Sequence, residues 1–176
     1  MRRSEFVTRF LDLLAVAACL ALLSACGGAD EYLHKDDWAE VHVVITSTSS
    51  SLVPNQRNTV LIRVPNAGKS AAPDVVLQFP APIGFRYDSV TCRSSGTVVC
   101  PAVSVQQLAS GALVPSFPPS SELAFTFEGV TTGDVGTQVA ITGYARSDYQ
   151  YWDKDLSNNS ALLYIPIVAP VAGPAN

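Results

Sequence analysis

From Trp38 onward, apolar and polar residues alternate with period two. Val41, Val43 and Ile45 alternate with Glu40, His42 and Val44; Val60, Ile62 and Val64 with Leu61 and Arg63; Val75, Leu77 and Phe79 with Val76 and Gln78. Successive side chains of a strand point to opposite faces, so each set predicts a strand with one face turned inward. Further strands are expected at 85–91, 97–100, 123–129 (Leu123, Phe125 and Phe127 inward), 138–145 and 161–167. Val103 to Leu108 fits a short strand and a helical turn equally well. Breaks such as Asn66-Ala67-Gly68, Ser94-Ser95-Gly96 and Thr132-Gly133-Asp134 separate the strands. The pattern therefore predicts an all-β chain folded as a two-sheet antiparallel β-sandwich of seven or eight strands.

The first 25 residues follow another rule. Leu13 to Leu23 is an uninterrupted apolar run behind Arg2, Arg3 and Arg9, with Glu5 and Asp12 diluting the positive charge. This is the layout of an export signal, and it falls short of the roughly 20 apolar residues that a spanning helix needs. Leu23-Ser24-Ala25-Cys26 then resembles the lipobox of bacterial lipoproteins. The resemblance implies cleavage before Cys26, a diacylglycerol thioether on Cys26 and acylation of the new amino terminus. An ordinary secretory signal or an uncleaved anchor helix is the alternative, but neither needs Cys at that position. Gly27 follows, where Asp would resemble an inner-membrane retention signal, so attachment at the outer membrane is expected, on its periplasmic face or at the cell surface. Residues 1–25 are thus a signal peptide, and 26–37 a lipidated Cys with an acidic tether (Asp30, Glu31, Asp36, Asp37). Such a tether has too little apolar surface to offset its ordering entropy. Residues 38–168 form the folded domain, and 169–176 a disordered tail.

Without the leader, 151 residues remain, with eight basic and thirteen acidic side chains. That is enough chain for one domain with its own core. The negative balance, with no local Lys/Arg cluster, speaks against nucleic acid as a partner. Of the four cysteines, Cys19 lies in the leader and Cys26 is the lipid site, which leaves Cys92 and Cys100. Export puts these two in an oxidising compartment, and the turn-rich segment between them allows a disulfide that staples two adjacent strands. A redox-active pair would call for Cys-x-x-Cys spacing.

The stretch from Val64-Pro65-Asn66-Ala67-Gly68-Lys69-Ser70 to Pro73-Asp74-Val75-Val76-Leu77, followed by Pro80 to Phe85, resembles the family called domain of unknown function 11. Pro115 to Pro119 before Leu123 to Phe127, and Asp155 to Ala161, are similar to that family too. The resemblance covers roughly residues 40 to 168 and implies an immunoglobulin-like sandwich of bacterial surface proteins, without catalytic residues to carry over. This chain holds a single copy, and Gln106 to Val114 lengthens the connection after Cys100. In physical terms, Asn66 and Gly68 are expected to supply the left-handed backbone of a tight turn, and Asn158-Asn159 the same before the last strand.

Catalytic chemistry finds little support. His34 and His42 stand apart from any Gly-x-Ser-x-Gly elbow, and no free thiol is left once Cys92 and Cys100 pair. Gly68-Lys69-Ser70 copies the end of a phosphate loop, but Arg63 occupies the upstream glycine position and a strand follows. Two distant histidines cannot assemble a zinc set. No enzyme and no cofactor are expected, the lipid on Cys26 aside. The loop from Ser147 to Asn159 is the place for function. It sets Asp148, Asp153, Asp155, Asn158 and Asn159 beside Tyr149, Tyr151 and Trp152. Its oxygens suit Ca²⁺, although the Gly and terminal Glu of an EF-hand loop are missing. Its aromatic rings suit a sugar face or a partner protein. Against both stands a plain solvated turn, with Trp152 or Tyr151 plugging the end of the sandwich. The expectation is an envelope lipoprotein with a non-catalytic module for structural display or adhesion-type interaction, anchored to the membrane by lipid. A glycan- or Ca²⁺-binding module using the 147–159 loop is the alternative. An edge strand such as Val41 to Ile45 is a candidate for pairing with another envelope protein.

Overall fold

The computed structural model describes residues 38–147 and 153–171. Among these residues, eight strands form two antiparallel sheets. In chain order they are β1 (Val44–Ser47), β2 (Arg57–Asn66), β3 (Ala72–Gln78), β4 (Phe85–Ser95), β5 (Ala112–Phe117), β6 (Ser121–Thr131), β7 (Gln138–Ser147) and β8 (Ser160–Pro166). One sheet has the order β1-β2-β6-β4 and the other β5-β3-β7-β8. The fold is the all-β, immunoglobulin-like sandwich anticipated above, and its strand count is the upper of the two expected.

The period-two pattern has the cause assigned to it. Val60, Ile62 and Val64 of β2, Val75 and Leu77 of β3, and Leu123, Phe125 and Phe127 of β6 are all buried between the sheets. Phe79 fills the centre, with its ring 5.3 Å from Phe125 and 6.0 Å from Phe127, both edge-on. Tyr87 packs 4.5 Å from Phe127. Burying five aromatic rings (Phe79, Phe85, Tyr87, Phe125 and Phe127) removes a large apolar area from water, and the edge-on contacts add roughly 1 kcal/mol each.

In β4 the alternation changes phase. Tyr87 pairs with Gly129 and Ser89 with Glu128, which leaves Asp88 as the extra residue of a bulge. Phe85 and Tyr87 face inward before it, and Val90 and Cys92 after it. The bulge thereby aims Cys92 at its partner, since one inserted residue exchanges the two faces of everything beyond it. Cys92 and Cys100 are disulfide-bonded. However, 97–100 is not a strand. The bond ties β4 to its own returning loop, because the chain turns at Gly96 (φ +74°) instead of pairing again. Closing this short loop is worth about 2 to 3 kcal/mol in the chain-entropy model. The Cys92→Ser, Cys100→Ser double variant should lose that amount in urea unfolding, as should the reduced wild type, with no further effect of reductant on the variant.

One reading left open by the sequence is resolved, and one strand was not expected. Val105–Ser110 is a helix, α1, so the ambiguous stretch resolves as helical. Ser104 caps it reciprocally: its hydroxyl accepts from Gln107 N–H at 3.2 Å, and the Gln107 side chain accepts from Ser104 N–H at 2.8 Å. Ser-x-x-Gln is a capping-box sequence. Leu108 anchors the helix in the core. The next segment, which the sequence suggested was a lengthened connection, contains β5. Pro115 hid it, yet β5 is an edge strand, where a missing N–H is tolerated.

Candidate functional site

Of the 147–159 loop, Ser147 and Asp153 to Asn159 are described. Asp148, Tyr149, Tyr151 and Trp152 lie outside the described residues, as do Cys26, residues 1–37 and 172–176. The described part of the loop, Asp153 to Asn159, is held against Trp38 to Val43. This amino-terminal segment runs between two neighbours. On one side His42 N–H donates to Pro65 O (3.2 Å), while Glu40 O accepts from Ala67 N–H (2.8 Å) and Trp38 O from Lys69 N–H (3.0 Å). On the other, Ala39 O accepts from Lys154 N–H (3.0 Å), and Val43 N–H donates to Asn158 O (3.1 Å). Because these bonds are shared between two partners, the expected strand from Val41 to Ile45 is regular only from Val44 onward. The backbone of Val41 to Val43 is already engaged, which removes most of that segment as an open pairing edge.

Asn66 and Asp153 fasten this junction. The Asn66 side chain is buried and makes four hydrogen bonds: Oδ1 accepts from Glu40 N–H (3.0 Å) and Gly68 N–H (3.1 Å), and Nδ2 donates to Ser70 O (2.9 Å) and Phe117 O (2.8 Å). Every donor and acceptor site of an amide is thus largely used. The expected left-handed backbone is absent. Positive φ occurs at Asn55, Asp74, Ser120, Gly84, Gly96, Gly111 and Gly136 among the described residues, not at Asn66 or Gly68. Gly68 is required for space instead: a Cβ there would lie 2.4 Å from Trp38 O and 2.5 Å from Glu40 N. Asn158 likewise sits in a 3-10 turn, Leu156–Asn158, and Asn159 follows with φ −72°. Their side chains act as donors, Asn158 Nδ2 to Glu40 Oε1 (2.7 Å) and Asn159 Nδ2 to Asp153 Oδ2 (3.0 Å).

The two described loop carboxylates have structural work. Asp153 accepts from Val41 N–H (3.1 Å) and Asp155 N–H (3.1 Å), and Asp155 caps the 3-10 turn through Ser157 N–H (2.9 Å) and its hydroxyl (2.6 Å). No group of three or more His, Cys, Asp or Glu gathers among the described residues. Burial raises the Asp153 pKa above the ordinary carboxylate value, helped by the nearby Glu40 charge and opposed by its hydrogen bonds. The Ser157 hydroxyl and N–H lower that of Asp155, which is fully exposed. The signs are opposite. Asp153 holds its proton longer in the folded than in the unfolded chain, so its contribution to stability grows as pH falls through the acid range. The contribution of Asp155 is present at neutral pH and fades on acidification. A carboxyl-carbon NMR titration should show Asp153 protonating first and Asp155 well after it.

Beside this junction, on the outer face of β7, lies a cleft of about 460 Å³ lined by Tyr144, Ala145, Arg146, Ser147, Leu156, Asn159 and Ser160. The Arg146 guanidinium stands 4.6 Å from the centre of the Tyr144 ring. Ligand clefts typically span roughly 300–1,000 Å³ with a few polar groups on apolar walls, and this one falls in that range. The cleft offers an aromatic ring with a guanidinium beside it, a pair suited to non-covalent recognition, whereas the Asn159 amide is committed to Asp153. Tyr144 and Arg146 were not singled out by the sequence, since they sit at outward positions of a strand whose inward residues carry the pattern.

No family model matches the chain, and no curated protein matches its sequence. Among solved structures it is similar to the CARDB domain of a Pyrococcus furiosus protein in complex with di-metal ions, at a TM-score of 0.51 and 16% identity, over 75% of this chain and 90% of that one. It is also similar to the collagen-binding domain of a Staphylococcus aureus adhesin (TM-score 0.45, 9% identity, 72% and 98% covered). AvmM, which catalyzes macrocyclization in alchivemycin A biosynthesis, is a further neighbour (TM-score 0.45, 11% identity, 80% and 93% covered). The first likeness supports the sandwich fold.

Proposed function

We propose that this chain is a lipid-anchored envelope lipoprotein whose folded part is a non-catalytic immunoglobulin-like module of the domain-of-unknown-function-11 type, serving display or adhesion-type interaction. The observation that carries the binding side of this reading is the cleft at Tyr144 and Arg146, where an aromatic ring and a guanidinium stand together. The Cys92–Cys100 disulfide supports passage through an oxidising compartment. The anchoring side rests on Leu23-Ser24-Ala25-Cys26. Two or three acyl chains, at roughly 0.8 kcal/mol per buried CH₂, make attachment effectively permanent. The junction at Asn66 and Asp153 holds the chain close to the tether against the loop that borders the cleft, so the module presents a rigid end. Expressed in a bacterium with lipoprotein processing, the wild type should sediment with membranes after high-salt washing. Cys26→Ser should leave the membrane fraction or remain as an uncleaved precursor. Equal behaviour of the two would remove the anchor from the account.

The second reading, a glycan-binding module, is favoured by the Tyr144 ring next to the Arg146 guanidinium in this cleft. Tyr144→Ala would then abolish oligosaccharide binding while leaving the unfolding midpoint in place.

A further inference from the structure

The chain has three lysines, and all of them gather where the folded domain meets its tether. Lys35 stands three residues before Trp38 in the sequence. Lys69, in the β2–β3 turn, and Lys154, in the 153–159 loop, are brought to two adjacent residues. Lys69 N–H donates to Trp38 O (3.0 Å), and Lys154 N–H to Ala39 O (3.0 Å). Neither ammonium has an ion pair among the described residues, whereas Arg57, Arg63 and Arg86 each have a carboxylate partner.

Here lies a cleft of about 410 Å³ whose polar walls are Trp38, Glu40, Lys69, Lys154 and Asp155. It shares no lining residue with the Tyr144–Arg146 cleft. Two of its side chains are left incomplete. Trp38 Nε1 and Glu40 Oε2 are buried without a hydrogen-bond partner among the described residues, although Glu40 Oε1 accepts from Asn158 Nδ2 at 2.7 Å. One is a donor and the other an acceptor. Buried polar groups are ordinarily paired, so an orphan of each kind in one wall fits a ligand that brings an acceptor and a donor together. The rim repeats this demand with two ammoniums and the exposed Asp155 carboxylate.

We propose that this cleft receives the zwitterionic headgroup of a phospholipid, a phosphate joined to a primary ammonium, from the membrane that holds Cys26. The proposal rests on the lipid anchor. Phosphate oxygens accept from the Lys69 and Lys154 ammoniums and from Trp38 Nε1–H, while the lipid ammonium donates to Glu40 Oε2 and Asp155. Reach is sufficient and limited: the twelve residues from Cys26 to Trp38 span at most about 40 Å, which keeps the cleft near the headgroup layer. Indole suits that layer, having an apolar body with a single donor. Charge selects the headgroup. The tether adds Asp30, Glu31, Asp36 and Asp37, so this end is not a basic patch and does not attract anionic lipid. A quaternary ammonium has no N–H to give Glu40.

The test follows Trp38 emission in the full-length chain carrying Trp152→Phe, which leaves Trp38 as its only tryptophan. Glycerophosphoethanolamine, glycerophosphocholine and glycerol phosphate are titrated into the protein in a non-ionic detergent. This arm does not need the lipid on Cys26, which intact mass reports separately. Glycerophosphoethanolamine should bind saturably and at least about ten-fold more tightly than the other two. Lys69→Gln with Lys154→Gln should weaken it by at least about ten-fold through lost charge-assisted bonds. The unfolding midpoint should hold, since both side chains are exposed. In vesicles of phosphatidylethanolamine and phosphatidylcholine, brominated acyl chains should quench Trp38 more than in phosphatidylglycerol and phosphatidylcholine, and the double variant should lose the difference. Equal binding of the three headgroups would overturn the proposal, as would a preference for glycerol phosphate, the mark of a plain cationic patch. So would undiminished binding by the double variant, or headgroup binding without quenching in vesicles, which would remove the bilayer as its source.

Discussion

Asn66→Ala should lower the unfolding midpoint by roughly 10–15 °C, the equivalent of about 3 kcal/mol for a domain of this size. The cause is specific. Removing the amide takes away the partner of Phe117 O, which is buried, and of Glu40 N–H, Gly68 N–H and Ser70 O, which are partly buried. A hydrogen bond adds little net stability, but a buried group stripped of its partner pays its full desolvation. Asn66→Asp should be at least as harmful, since it keeps the two acceptor contacts and replaces an amide that donates to two carbonyls with a buried negative charge. Thermal unfolding followed by circular dichroism would measure both. A loss below about 1 kcal/mol for Ala would mean that water reaches the four groups and that the Asn66 side chain is not a fastening point.

Gly68→Val should be comparably severe for a different reason. The space that its Cβ needs is filled by backbone, Trp38 O, Ala39 C and Glu40 N, which cannot turn aside as a flexible side chain would. The amino-terminal segment must leave its place between Pro65 to Lys69 and Lys154 to Asn158, or the β2–β3 turn must move. Either change costs about 3 kcal/mol or more. The two variants differ in what they release. Gly68→Val should expose Trp38 to Val43 first, read as faster amide exchange at Val43, whereas Asn66→Ala loosens Phe117 and β5 as well. By contrast, Gly136→Ala meets nothing within 4 Å, so only its φ of +88° matters and the loss should be about 1 kcal/mol.

The sandwich was legible because β2, β3, β6 and β7 alternate and bury the residues that the alternation selects. Legibility failed where the cause was not periodic. The bulge at Asp88 reverses the inward face of β4 with no composition signal, and Cys92 reaches Cys100 only because of it. β5 was hidden by Gly111 and Pro115, both punctuation in sequence and both harmless at a sheet edge. Asn66-Ala67-Gly68 was noticed for its backbone freedom, yet the fold uses the Asn side chain and the missing Cβ of Gly, which are tertiary facts. The Ser-x-x-Gln cap of α1 was present in the sequence and decides the Val103–Leu108 ambiguity once it is read. At the candidate site, the described loop carboxylates Asp153 and Asp155 serve backbone N–H groups. Tyr144 and Arg146 become a site only when β7 and the 3-10 turn lie side by side.

The proposed lipid anchor is tested most directly by intact mass of the protein extracted from membranes, compared with Cys26→Ser. The account predicts a chain that begins at Cys26, carries the added mass of diacylglycerol and an amide-linked acyl group, and has lost 2 Da to the Cys92–Cys100 bond. A mature chain without lipid mass, or one that still carries residues 1–25, would contradict it.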